Sequence, residues 1–302
     1  MLYNLNMNDY APEVQALSNT LLYELTKALG LSQNGMLGRA LCPLFEKATT
    51  RFAELGLGLD RVVAEGGVAA GARWVLPRFV KGHRARGVEN IPPTGPLVIA
   101  ANHPAACDSL VISAHVSRPD YKIIVGDIPF FEHLTHVSQY AFYAPDPQDI
   151  HGRMAVIRQS IRHLQAGGAL LIFARGGIEA DPAFMPHADA EFGHWSRSLE
   201  IFLKCVPQTR VLVTIVSGVI ARSAYHHPFT WFRRQRPDRQ RLAFMLQMMR
   251  QILSGEEVFG LVPRVSFGDL IGLSESCNPE QALSAITDSA RRLLQSHLVE
   301  KS

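Results

Sequence analysis

"LVIAANHPAACDSLVI", residues 97–112, opens with an apolar run, Leu97 to Ala101, and then delivers Asn102 and His103. The turn-forming stretch "IPPTGP" at 91–96 precedes it. A short, uninterrupted apolar run bounded by turn residues reads as a strand buried on both faces, the kind that builds parallel sheets. Beyond Pro104 the period changes, and Leu110, Val111 and Val116 predict a helix over roughly 107–117. The stretch is therefore a strand feeding a helix.

The same unit recurs outward from it. "YKIIVG" (121–126), "GGALLIFA" (167–174) and "RVLVTIVSGV" (210–219) read as buried strands. "HRARGVEN" (83–90), "QYAFYAP" (139–145, ended by Pro145) and "VPRVSFG" (262–268) read as shorter ones. Residues 150–166 form a helix with Ile150, Met154, Ile157, Ile161 and Leu164 on one face; 238–253 and 279–299 are helical too. Apolar strands alternating with helices predict an α/β fold, a mostly parallel central sheet sandwiched by helices.

The first 80 residues have a different texture. Val14, Leu17, Leu21, Leu22, Leu25 and Leu29 recur at helical spacing, with Gly30 as the stop. Residues 36–55 give a second amphipathic segment, of which Pro43 marks either the start or a kink; a third, to residue 80, is weakened by its glycines. Two parts are expected: a helical extension over 1–80 and an α/β domain over 81–302. In the 302-residue chain, 47% apolar and 19% charged content suits a large core and argues against disorder. A net charge of +3 is too weak to imply nucleic acid. Cys42, Cys107, Cys205 and Cys277 are too dispersed for a zinc knuckle or a disulfide framework, and suit a reducing compartment. Neither a leader nor an apolar stretch of about 18 residues is apparent, so a cytoplasmic protein is expected, one that lies on a membrane if it meets one.

His103 and Asp108 are five positions apart. Reactive groups in open α/β sheets gather at the carboxyl ends of strands, where His103 falls. A carboxylate at the start of the next helix can reach back to the imidazole, fix its tautomer and stabilise the imidazolium formed when it takes a proton. The plainer alternative is a strand-end histidine with one backbone bond and Asp108 as a helix-start residue. Spacing alone leaves both open, because His115 and Asp120 repeat it. That second pair sits at a helix end and in a Pro-containing turn, and reads as surface. Cys107 is either a nucleophile or a small buried residue of the first helical turn.

At these residues the chain resembles the PlsC-like glycerolipid acyltransferases, which act on lysophosphatidate or glycerol phosphate. The resemblance spans about residues 80–300. "RARGVENIPPTGPLVIAANHPAACDSLVI" (84–112) is similar to that family's first block: a short strand, a G-x-E-N-I-P turn, a strand, then N-H-x4-D. This implies that His103 is the general base on an acceptor hydroxyl, oriented by Asp108. The hydroxyl oxygen attacks the thioester of acyl-CoA or an acyl carrier protein, with no covalent intermediate, metal or other cofactor. The oxyanion formed needs donors, expected to be backbone N–H groups.

The acceptor block departs from the pattern. The family usually has F-P-E-G-T-R where this chain has "FARGGI" (173–178): Phe173 and Gly176 match, while Ala174, Arg175 and Gly177 replace proline, glutamate and threonine. Ile178 stands where an arginine is expected to grip an acceptor phosphate. The acceptor-binding candidates are Arg175, as a displaced charge or a solvated loop arginine, the turn glycines Gly176 and Gly177, and Glu179 as a replacement carboxylate. The acceptor is accordingly a lysophospholipid, glycerol phosphate or another lipid alcohol. "VPQTRVLVTIVSGV" (206–219) and "VPRVSFGDLI" (262–271) resemble the family's later blocks, the first with Pro207 kept.

Residues 225–241, "YHHPFTWFRRQRPDRQR", set Tyr225, Phe229, Trp231 and Phe232 among five arginines. That mixture suits a peripheral membrane surface, the phosphates of CoA, or a solvated basic helix over buried aromatics. The N-terminal helices are the other candidate membrane contact. The expected function is O-acyl transfer at the cytoplasmic face of a membrane; a catalytically inactive lipid-binding or scaffold protein on the same fold is the alternative.

Overall fold

Leu97–Ala101 (β2) is buried at every residue and lies in the middle of the sheet. The structure, a computed structural model, describes residues 11–29, 36–146, 148–273 and 279–299. Gly30 and Cys277 fall outside these, as do the side chains of Leu25, Leu29 and Cys42. The elements are α1 (Ala11–Leu29), α2 (Met36–Val75), β1 (Arg84–Arg86), β2, α3 (Cys107–Ser113), β3 (Tyr121–Gly126), α4 (Thr135–Ser138), β4 (Ala141–Ala144), α5 (Ile150–Gln165), β5 (Ala169–Phe173), α6 (Ser198–Cys205), β6 (Arg210–Ser217), α7 (Arg222–Tyr225), α8 (Arg236–Ser254), β7 (Arg264–Ile271) and α9 (Pro279–Val299).

Among the described residues one seven-stranded sheet runs β1-β7-β6-β2-β5-β3-β4. Every pairing is parallel except β6 with β7. β2 is flanked in register by β5 and β6, so that Ala101 sits between Phe173 and Thr214. This explains why the strands are legible as apolar runs: with helices on both faces, Leu97, Ile99, Leu170, Leu171, Val211 and Leu212 all have zero exposure. The mostly parallel, helix-covered sheet expected from the sequence is the fold observed.

The N-terminal region departs in detail. The second and third segments form one element, α2, with Pro43 inside it, interrupted only at Gly67 (φ 74°, ψ 179°). A Cβ on Gly71 would lie 2.5 Å from Val63 Cγ2 and 2.9 Å from Leu59 Cδ1. Eight residues of straight helix span about 12 Å, so Val63 and Gly71 meet only because the chain doubles back at Gly67. The glycines that weaken a helical reading are the ones that allow this contact. Leu17, Ala53 and Leu134 form a small cluster with Val14, Leu21, Leu57, Phe130 and Phe131, while Ala72, Val75, Leu76 and Phe79 join the main core. α3 stops at Ser113, short of the expected 117; α6 went unpredicted.

α9 is tied to the sheet by a buried histidine. His297 is held between Ser217 Oγ (Nε2, 2.7 Å) on β6 and Ser266 Oγ (Nδ1, 2.8 Å) on β7. Burial, and then Arg264 and Arg86, push its pKa down to about 4. The unfolded chain takes up this proton near pH 6.5, the folded one only near 4, so the histidine's contribution is complete above 6.5 and is lost as pH falls toward 4. That loss is worth about 3 kcal/mol across the window. Urea unfolding at pH 7 and 4.5 should show this extra acid sensitivity in the natural chain and not in His297→Gln.

Candidate active site

The chain leaves β2 through Asn102, whose side chain imitates a strand residue. Its Nδ2 donates to the Val216 carbonyl (2.9 Å), and its Oδ1 accepts the Val216 N–H (2.7 Å). This two-bond clasp on β6 fixes the backbone immediately before His103. The His103 ring then stacks on Phe173, the last residue of β5, at 4.1 Å between centroids.

Asp108 comes from the first turn of α3 and is wholly buried. One oxygen, Oδ2, accepts from His103 Nδ1 (2.9 Å) and from the Ala105 N–H (3.1 Å). A carboxylate only accepts, so Nδ1 carries the proton and Nε2 keeps its lone pair. The His103 side chain is 21% exposed, enough for a substrate to reach it. Burial works against its charged form, but the Asp108 carboxylate beside it and the more distant Glu179 outweigh that and raise its pKa above the ordinary value. Complete burial lifts the Asp108 pKa, opposed by the imidazole. Cys107, also buried, has its thiol pushed up to about 12, which leaves no thiolate to act as a nucleophile.

Glu179 turns inward. Its Oε2 accepts the His103 N–H (2.9 Å), its Oε1 accepts Trp195 Nε1–H (3.1 Å), and its own N–H donates to the His103 carbonyl (2.8 Å). Burial pushes its carboxyl pKa up to about 7, with the two donors opposing. Gln240 of α8, wholly buried, donates through Nε2 to the carbonyls of Pro104 (2.7 Å) and Glu179 (2.6 Å). The histidine loop is thus clamped on both sides by polar groups remote in sequence.

Gly176, at φ 74°, turns the chain after β5, and a Cβ would meet nothing at either Gly176 or Gly177. Beside them lies a cavity of about 580 Å³ lined by Arg175, Glu191, His187, His194, Tyr225 and Arg236 among others. Arg175 Nε (3.1 Å) and Arg236 Nη2 (2.6 Å) both bind Glu191, one on each carboxylate oxygen. Arg175 Nη1 also donates to the Ile178 carbonyl (2.8 Å). The loop carrying these groups is closed at its neck, where the Ser196 N–H donates to the Ala174 carbonyl (2.7 Å). Just inside the neck, buried Asp181 accepts the N–H groups of Ala183, Gly218, Val219 and Ile220, which fasten the loop to the end of β6. Among the described residues, no group of three or more His, Cys, Asp or Glu converges as a metal site.

Residues 83–193 match the family model described as Acyltransferase. Over that span the chain is similar to the acyltransferase family. The matched span takes in His103, Asp108, the 175–179 stretch and Glu191. The chain is also similar, at 12% identity and a TM-score of 0.45, to the crystal structure of the 1-acyl-sn-glycerophosphate (LPA) acyltransferase PlsC from Thermotoga maritima, over 95% of this chain and 98% of that one. No curated protein matches it.

Within the matched span, the candidate residues divide into two groups. His103, Asp108 and Glu179 meet at one loop; Arg175 lines the neighbouring cavity, and Gly176 and Gly177 do not. The second His-x4-Asp pair does not meet. Asp120 takes Arg118 through both oxygens (2.9 and 2.6 Å), and His115 is not a surface residue but half-buried against His83. Glu191, Trp195 and Gln240 carry no local sequence signal.

Proposed function

We propose that the protein transfers a fatty acyl group from the thioester of acyl-CoA or an acyl carrier protein to a hydroxyl of a lipid acceptor, with His103 Nε2 as general base. The observation that carries the reading is the buried Asp108 on Nδ1, which leaves Nε2 unprotonated at a partly open position. As the acceptor oxygen attacks the thioester carbonyl, its proton passes to Nε2. Asp108 stabilises the imidazolium. The tetrahedral intermediate collapses with loss of the thiolate, which recovers the proton from Nε2. No group beyond the thioester co-substrate is required. Among the described residues no helix is long and apolar enough to cross a membrane; the location proposed is peripheral, on the cytoplasmic face of a membrane.

For the acceptor, the pairing of Arg175 and Arg236 with Glu191 favours a lipid alcohol without a phosphate. A guanidinium committed to a carboxylate has little left for a phosphate, and Ile178 offers none. The test is an acyl-transfer screen of the purified protein across lysolipids and lipid alcohols with and without phosphate. Turnover is expected on phosphate-free acceptors, and a clear preference for phosphate-bearing ones would overturn this assignment. Glu191→Gln, which frees both guanidinium groups, should raise kcat/KM for a phosphate-bearing acceptor about tenfold relative to a neutral one.

A further inference from the structure

We infer that the turn Phe229–Arg234 is a preformed wedge that docks the protein on an anionic phospholipid surface with the His103 loop nearby. The inference rests on the lipid-acyltransferase reading and names the surface that reading leaves open. Phe229, Trp231 and Phe232 are 47%, 64% and 59% exposed, three large rings in four positions. A soluble surface rarely concentrates apolar area in this way without a partner.

The turn is held rigid from within. Thr230 is fully buried, and its Oγ1 donates to the carbonyls of Tyr225 and His227 (2.8 Å each), while the Arg233 N–H closes on the Thr230 carbonyl (3.1 Å). Phe229 and Phe232 meet edge to face at 5.1 Å. The rings are presented outward by a fastened backbone, so little order remains to be imposed on contact.

Charge selects the occupant. No aspartate or glutamate occurs between Ile201 and Pro237, a stretch with five arginines and one lysine. Arg233 and Arg234 are exposed in the same turn as the rings, with the Arg233 guanidinium over the Phe232 ring at 5.6 Å. Aromatic rings at headgroup depth with guanidinium groups meeting phosphates is the chemistry of an anionic bilayer. An acidic protein would answer the arginines but leave three rings to find a matching apolar pocket. The N-terminal helices are a poorer candidate, because among their described residues Leu17, Val14 and Leu21 are spent on Ala53, Leu57 and Leu134.

The wedge also points to the site. α8 begins two residues after Arg234, and four residues on, about 6 Å along the axis, Gln240 holds the carbonyls of Pro104 and Glu179. The charge of Arg241, the next residue, reaches His103.

The test uses the full chain with vesicles of phosphatidylcholine alone or mixed equally with phosphatidylglycerol. The natural protein is expected to bind the anionic vesicles, less as salt rises, with Trp231 quenched by brominated acyl chains. Phe229→Ser/Trp231→Ser/Phe232→Ser and Arg233→Glu/Arg234→Glu should each weaken binding at least tenfold while keeping the thermal midpoint. Trp231→Phe should keep binding and lose the quenching. Unchanged binding in both multiple variants, or no quenching of Trp231, would overturn the inference. So would variants that lose binding to an acidic acyl carrier protein while keeping binding to the anionic vesicles. Transfer to a short-chain acceptor below its micellar concentration separates the two ideas. The triple serine variant should keep it, and its failure in the natural protein alongside intact vesicle binding would sink the catalytic reading alone.

Discussion

His103→Ala is expected to lower kcat/KM for acyl transfer by about 10⁴-fold, or about 5.5 kcal/mol of transition-state stabilisation. The substitution removes the proton acceptor and the ring stacked on Phe173, but neither of the backbone bonds that join residues 103 and 179. Folding should therefore survive, which unchanged circular dichroism and a cooperative thermal transition would document. Steady-state thioester consumption with the best acceptor from the screen supplies the rate. Retained turnover would sink the general-base role. If the natural protein turned over no acceptor and His103→Ala left liposome binding untouched, the inactive lipid-binding alternative would gain the ground instead.

The second large effect belongs to Asp108→Asn. Both bonds fall on Oδ2, so an amide oxygen in that place keeps them and the Nδ1–H tautomer but loses the negative charge, whereas an NH2 there opposes the Ala105 N–H and asks Nδ1 to accept. A loss of about 10³-fold is expected from the lost carboxylate. The pH profile gives a separate reading. The base works only when neutral, so kcat/KM of the natural protein rises with pH through a midpoint above the usual histidine value, because Asp108 favours the imidazolium. In Asp108→Asn the midpoint should fall while the plateau drops. A lowered plateau with an unmoved midpoint would show that the carboxylate does not act on the proton of His103.

What the sequence displays and what it conceals follow one physical distinction. Strands buried on both faces, such as β2, β5 and β6, are written as largely contiguous apolar letters, whereas β1, an Arg-Ala-Arg edge strand, was legible only from the turn that follows it. His103 and Asp108 lie within one strand–turn–helix passage, where local spacing nearly determines their distance. Glu191, Trp195 and Gln240 gain their roles from partners 16 to 136 residues away, which no local pattern records. Glu179 was visible as a carboxylate in the right loop, but the direction of a side chain is a tertiary fact. The glycines of α2 mislead for a related reason: their cost to a helix is local, while the close contact of Val63 with Gly71 is not.

The closed neck at Ala174 and Ser196 has an evolutionary consequence. With the loop's ends joined to each other, and Asp181 anchored to β6, residues 182–194 are held as a unit that keeps Met185, Ala188 and Phe192 in the main core while its other positions are free to change. Doubling the length of such a loop costs only about 0.6 kcal/mol in closure entropy, whereas one residue inserted between His103 and Asp108 would separate the pair. On the proposed reading, a change of lipid acceptor would come from the non-core positions of this loop and the "FARGGI" stretch beside it, with His103 and Asp108 inherited unaltered.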